Sequence, residues 1–271
     1  FEPTPQNIEA RVIRRTLSNG IKVALLPKKT RGGTVIAQLS LYWGDEKSKM
    51  DRGPACGLAG GMLLRGSRTH TRTELRDAFD RLKAGVSAGI EGASIDVRRA
   101  QLEDSLRLVA EVLKEPAFPP AEFEELKRAS LTGAEAQRGE PGAIASERLA
   151  RHLNPYPRGH WLYPESMDER VAQLKAAKLE DAVRCYTELV GATGAQFVAV
   201  GDFDADALSK LVEELFGSWK NPAPYARIPA RHFERAPLEQ TVATPDKANA
   251  VLRAAVNLPL RDDDPDFPAL I

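Results

Sequence analysis

The order of segments along the chain predicts an α+β layer fold. Three observations carry this. The N-terminal part reads as β-prone segments around an Asn-Gly turn. The middle alternates amphipathic helical stripes with a pair of short strands. A short apolar strand and one capped helix then follow near residue 200.

Residues 1–10 are polar and Pro-containing and read as a linker. Arg11 to Leu17 and Ile21 to Pro27 are strands joined through Ser18-Asn19-Gly20, and Asn-Gly is a strong hairpin signal. Thr34 to Trp43 is rich in Val, Ile, Leu and aromatics and gives a third strand. Gly53 to Ser67, G-P-A-C-G-L-A-G-G-M-L-L-R-G-S, reads as a helix of small residues. Gly53, Gly57 and Gly61 recur every four residues and line one side; Ala55 and Ala59 line another. Interior glycines cost about 1 kcal/mol each against Ala, so such a helix is expected to pack closely on a neighbour. A phosphate loop is excluded, because there is no G-x-x-x-x-G-K-[ST].

Thr71-x-x-Glu74 is a capping box, and Leu75, Ala78, Phe79 and Leu82 form the apolar face of the helix it opens. Val86 to Arg99 reads as two strands. Leu102, Leu106, Val109, Ala110 and Leu113 make the next helical stripe, ended by Pro116. After Pro119-Pro120 a longer helix is expected to about Arg138, with Phe123, Leu126, Ser130, Leu131 and Ala134 inward. Pro141 begins another helix ending near Asn154, and Pro155 to Gly159 is loop. Leu179, Ala182, Val183 and Tyr186 mark a further helix. Gln196 to Val200 is a buried strand closing on Gly201-Asp202, and Asp204 caps the helix carrying Ala207, Leu208, Leu211, Val212 and Leu215. Asn221 to Pro237 is Pro- and Arg-rich without period, a linker; Lys247 to Leu258 reads as one more strand.

The 271 residues suffice for one large domain or one domain and part of a second. Acids and bases balance at 38 each, which offers no global attraction for nucleic acid or an anionic membrane. No stretch is long and apolar enough for a membrane span. Cys56 and Cys185 give neither a disulfide framework nor a C-x-x-C knuckle, and each is expected to be a small buried apolar residue. The chain opens on Phe1 without Met or a readable signal peptide. It closes on the acidic, Pro-containing run Arg261 to Ile271, which looks like a helix start, as in a piece of a longer polypeptide.

Met62-Leu63-Leu64-Arg65-Gly66-Ser67 resembles the M-x-F-[KR]-G-[ST] tail of the zinc helix in insulinase/pitrilysin-type peptidases. Leu17-Ser18-Asn19-Gly20-Ile21-Lys22-Val23 is similar to the hairpin that opens those domains. Thr73-Glu74-Leu75 and Val200-Gly201-Asp202-Phe203-Asp204 resemble their later motifs, and Asp246-Lys247-Ala248 resembles the opening of a following domain. The resemblance, strongest to the zinc-less second half of bacterial two-half peptidases, implies a mixed, largely antiparallel sheet backed by helices. It also implies a division into a 1–10 linker, an inactive peptidase-like domain over 11–220, a linker over 221–240, and the start of a second domain over 241–271.

In that family H-x-x-E-H sets two imidazoles four residues apart on one helix face to hold Zn²⁺, with the Glu as general base on the metal-bound water. Aligning on the tail places Gly57-Leu58-Ala59-Gly60-Gly61 there. Gly57 and Gly61 cannot ligate and Gly60 cannot take a proton. No catalytic residue, metal ligand or cofactor site is therefore expected in this chain, and zinc is expected in a partner half. Glu122, Glu124, Glu125 and Glu135 read as a solvated helix face; His70, His152, His160 and His232 are unpaired in sequence, with His152 and His160 flanking a surface loop.

The function expected is that of an inactive peptidase-like domain. It would pair with an active zinc half, wall a substrate chamber and contact peptide or unfolded protein. A scaffolding role without a proteolytic partner is the alternative. A hydrolase with a cryptic site at Cys56, whose thiol pKa a helix N-terminus could lower, is a third reading. For the compartment the bacterial periplasm is favoured over the cytoplasm.

Overall fold

The computed structural model describes residues 2, 4–261 and 263–270. Its elements run α1 (Pro5–Glu9), β1 (Ile13–Thr16), β2 (Lys22–Pro27), β3 (Thr34–Ser40), α2 (Glu46–Lys49), α3 (Gly53–Met62), α4 (Arg72–Leu82), β4 (Gly85–Gly89), β5 (Gly92–Arg98), α5 (Leu102–Lys114), α6 (Pro120–Gln137), α7 (Pro141–Leu153), α8 (Met167–Ala176), α9 (Leu179–Leu189), β6 (Gln196–Gly201) and α10 (Ala205–Phe216).

The strands form one six-stranded sheet in the order β1-β2-β6-β3-β5-β4. Among the described residues only β2 and β6 pair in parallel; the other pairings are antiparallel, so the sheet is mixed and largely antiparallel. Alternation decides its two faces. Val23, Leu25, Val35, Ala37, Leu39, Ile95, Val97, Phe197 and Ala199 are buried on the face that α5 and α10 cover. Fully burying a large apolar side chain contributes about 1.5–3 kcal/mol, so this face anchors the fold. The residues between them point the other way. Ile36, opposite Val200, and Val198, opposite Gln38, stay 59%, 44% and 41% exposed for Ile36, Val200 and Val198.

The β4–β5 hairpin comes so close to β3 that Gly92 must be glycine. Its φ is +126°, and a Cβ there would lie 1.9 Å from the Leu39 carbonyl oxygen. Helix starts follow their capping residues. The Thr71 hydroxyl accepts from Glu74 N while the Glu74 side chain accepts from Thr71 N, and Asp204 accepts from Ala207 N at the head of α10.

Several expectations need correction. Residues 1–10 are not wholly linker: Thr4 caps the short helix α1, with proline in its first turn. Helix α8 was not anticipated, although Ser166 and Glu169 form its capping box. Lys247 to Leu258 forms no strand. A strand needs a ladder partner, and none pairs with this segment among the described residues; Leu252 stands 90% exposed. The segment instead runs beside α7, where Lys247 pairs with Glu140 at 2.8 Å and the Asn257 side-chain amide donates to the Leu153 carbonyl at 2.8 Å. Among the described residues the run from Arg261 makes only a 3-10 turn, Phe267–Leu270; Phe1, Pro3, Asp262 and Ile271 lie outside them. Cys56 and Cys185 are buried as expected, but they are joined in a disulfide across 129 residues of sequence. Sequence spacing carries no trace of that proximity.

Candidate functional site

The candidate site is the strip formed by α3, the start of α6 and the β4 edge. Helix α3 buries Cys56, Leu58, Ala59 and Met62. Gly57 and Gly61 fall on its exposed side, one turn apart, with Gly60 beside them. The close packing expected along Gly53, Gly57 and Gly61 occurs at Gly61 and, off that line, at Gly60. A Cβ on Gly53 or Gly57 would meet open space. On Gly60 it would lie 3.1 Å from the Ile90 backbone nitrogen, and on Gly61 2.9 Å from Leu126 Cδ2. What approaches the aligned ligand positions is thus hydrocarbon and backbone.

Those residues do not fit zinc. Glycine offers no donor atom, and Zn²⁺ needs at least three from the protein. Among the described residues no group of three His, Cys, Asp or Glu side chains is placed to hold a metal ion.

The tail after α3 ties this strip to α6. Arg65 Nη1 reaches Glu122 Oε2 at 2.9 Å and Glu125 Oε1 at 3.2 Å, and Arg72 Nη1 reaches the same two oxygens at 3.0 and 2.8 Å. The hydrogen bond from Arg72, with that from Arg65, holds the Glu125 carboxyl below the usual carboxylate range. The acidic helix is therefore only partly a solvated face: Glu122 and Glu125 are committed to arginines, Glu135 sits 3.5 Å from Lys175, and Glu124 is exposed. Strand β4 closes the strip. It pairs with β5 on one side and forms the sheet edge on the other.

The four histidines differ in their surroundings. His70 Nδ1 lies 2.9 Å from Glu111 Oε1, which also accepts from the Ser67 and Thr69 hydroxyls. Burial pushes the Glu111 carboxyl up, but those hydrogen bonds outweigh it and hold the carboxyl low. His152 Nε2 is 2.9 Å from the Ala236 carbonyl, and His232 lines the cleft between α7 and the C-terminal segment. His160 overturns the surface-loop expectation: it is buried, stacked on Tyr156 at 4.5 Å. Its Nδ1 accepts from Leu162 N at 3.0 Å, which leaves Nε2 to carry the proton toward Glu46 Oε1, 3.4 Å away. Cys56, being disulfide-bonded and fully buried, offers no thiolate, so the cryptic-nucleophile reading falls.

One feature had no forewarning in sequence. Lys49 is buried with its ammonium 3.9 Å from the Trp43 ring centre and 4.7 Å from that of Trp161. Burial lowers the Lys49 pKa, and the charge of Glu91 opposes that shift. The cluster clamps the 157–163 loop onto the core.

Comparison with known proteins agrees with the motif resemblance. Residues 176–271 match a family model described as the peptidase M16 inactive domain. A peptidase M16 inactive domain from Pseudomonas fluorescens shares the fold at TM-score 0.65 and 22% identity, over 83% of this chain and 54% of that one. A protease from Helicobacter pylori follows at TM-score 0.65 and 18% identity, over 82% and 53%. The periplasmic protease PqqL from Escherichia coli gives TM-score 0.63 and 13% identity, over 82% and 25%. The chain thus spans about half the length of the first two and a quarter of the third. No curated protein matches in sequence. The family match is confined to residues 176–271, and over most of its length the chain carries the fold of these M16 and protease structures.

Proposed function

We propose that the chain is the non-catalytic half of an M16 assembly, pairing with a zinc-bearing half to wall the substrate chamber and hold extended peptide. The observation that carries this is the glycine strip: helix α3 runs into the Met62–Ser67 tail, while Gly57 faces open space and Gly60 and Gly61 present only backbone, beside Ile90 and Leu126. Two further features support it. The β4 edge offers unpaired backbone groups to an extended chain. The uncovered sheet face carries Ile36, Val198 and Val200 in one patch, a surface suited to contact with unfolded protein. In this reading residues 11–220 are the inactive domain, 221–240 a linker and 241–271 the start of a second domain. Zinc resides in the partner, and the compartment is the bacterial periplasm, as for the similar E. coli protease.

The test is to purify the chain, measure zinc by mass spectrometry, and assay an unfolded peptide alone and with an H-x-x-E-H-bearing M16 half from the same organism. We expect no cleavage by the chain alone, and co-elution and cleavage in the mixture. One zinc per chain, or cleavage by the chain alone, would overturn the proposal. A stable complex with a non-peptidase protein in place of the M16 half would turn the reading to a scaffold.

A further inference from the structure

We infer that the Cys56–Cys185 disulfide is the fastener of the glycine helix, so that α3 takes its working position only in chains matured in an oxidising compartment. Helix α3 is poorly held by its own sequence. Four of its ten residues are glycine, its N-cap Arg52 makes no side-chain capping bond, and its exposed side carries nothing that could be cross-linked by a metal. Each interior glycine costs about 1 kcal/mol of helix stability. Against this, Cys56 on α3 meets Cys185 on α9 with Cα atoms 5.4 Å apart, well inside the range a disulfide spans. Both cysteines are buried, at 0% and 1% exposure. Helices α3 and α9 pack against each other, so the bond reinforces an existing interface.

A cross-link over 129 residues removes much of the freedom of the unfolded chain and pins α3 near its N-terminal end. The bond forms when the two thiols lose two protons and two electrons to a disulfide-exchange oxidant, a thiol–disulfide oxidoreductase or a small disulfide, which is reduced to thiols. Glutathione-poised cytosol opposes that transfer and periplasm-like compartments favour it. Once closed, the bond is shielded from reductants by its burial. The inference rests on the geometry of α3 and α9 alone and stands whether or not the chain pairs with a zinc half.

The chain is produced by export to an oxidising compartment and compared with wild-type chain reduced in denaturant and refolded without oxidant, and with Cys56→Ala/Cys185→Ala. Thiols are counted by alkylation in denaturant, and α3 is followed by amide hydrogen exchange. We expect no alkylation of the exported chain and a Tm about 10 °C above that of the double variant. We also expect exchange in α3 at least tenfold faster in the reduced wild type, while β3 and β6 stay protected. The reduced wild type deletes no atom, so its exchange pattern decides the matter even where the double variant fails to fold. Two alkylatable thiols in the exported chain, or unchanged α3 protection after reduction, would overturn the inference.

Discussion

Glu169 shows how much one carboxylate can organise. It accepts from Ser166 N at 2.9 Å, from the Tyr163 hydroxyl at 2.9 and 3.0 Å, and from Arg151 Nη1 at 3.0 Å. The Ser166 backbone bond leads, with Tyr163 and Arg151 adding, and despite opposing burial the pKa falls from 4.5 to about 2. Because the folded-state value is depressed, the stabilisation is complete above the unfolded value of 4.5 and is lost as pH falls toward 2. Glu169→Gln is therefore expected to cost about 1–2 kcal/mol at pH 7, with the gap to wild type closing in acid. Denaturant titrations at pH 7, 4.5 and 3 check this, and a pH-independent gap would contradict it. Lys49 behaves differently. Its charge is buried between indoles without a carboxylate in hydrogen-bond contact, so Lys49→Met is expected to leave stability within about 1 kcal/mol, whereas Trp43→Ala costs about 3–5 kcal/mol. Thermal melts of the two variants separate a clamp made by packing from one made by charge.

Among the elements, α3 gives the sharpest test, because its glycines differ in surroundings. Gly57 faces open space, so Gly57→Ala is expected to raise Tm by about 2 °C through helix propensity alone. Gly61→Ala presses only on the flexible end of Leu126 and should lie near neutral. Gly60→Ala presses on the Ile90 backbone and should destabilise. A melting order other than Gly57, Gly61, Gly60 would show that the strip is packed differently. Introducing Gly57→His, Gly60→Glu and Gly61→His together is expected to give no stoichiometric zinc, since Leu126 crowds position 61 and Glu122 and Glu125 on α6 are committed to Arg65 and Arg72. Isothermal titration with zinc reads this directly. Much at this scale was legible beforehand. The Asn19-Gly20 turn, the Thr71 capping box and the Asp204 cap are local signals, and local signals fix local structure. Helix α8 escaped because it buries only Val171 and Leu174, too few for a stripe to stand out. The Cys56–Cys185 bond, the Lys49 clamp and buried His160 escaped because their partners come from far along the chain.

For the whole molecule the uncovered sheet face matters most. Ile36, Val198 and Val200 contribute little to the isolated fold because water still reaches them. Ile36→Lys is thus expected to change stability by no more than about 0.5 kcal/mol while weakening any complex that uses this face. Analytical ultracentrifugation with the proposed M16 partner, beside a thermal melt of the chain alone, distinguishes the two effects. The glycine strip was legible in sequence as a run of small residues on one helix. That it lies beside an open strand edge was not, since sheet order follows from pairings between remote segments. The lysine clamp has an optical consequence as well. The chain holds three tryptophans, and two of them, Trp43 and Trp161, sit edge to face with ring centres 5.5 Å apart around one ammonium. Their near-ultraviolet circular dichroism and their quenching therefore report whether the 157–163 loop is docked, while Trp219, beside Phe216, supplies an internal reference in the same spectrum. Opening of that loop by peptide or partner becomes visible in the unlabelled protein.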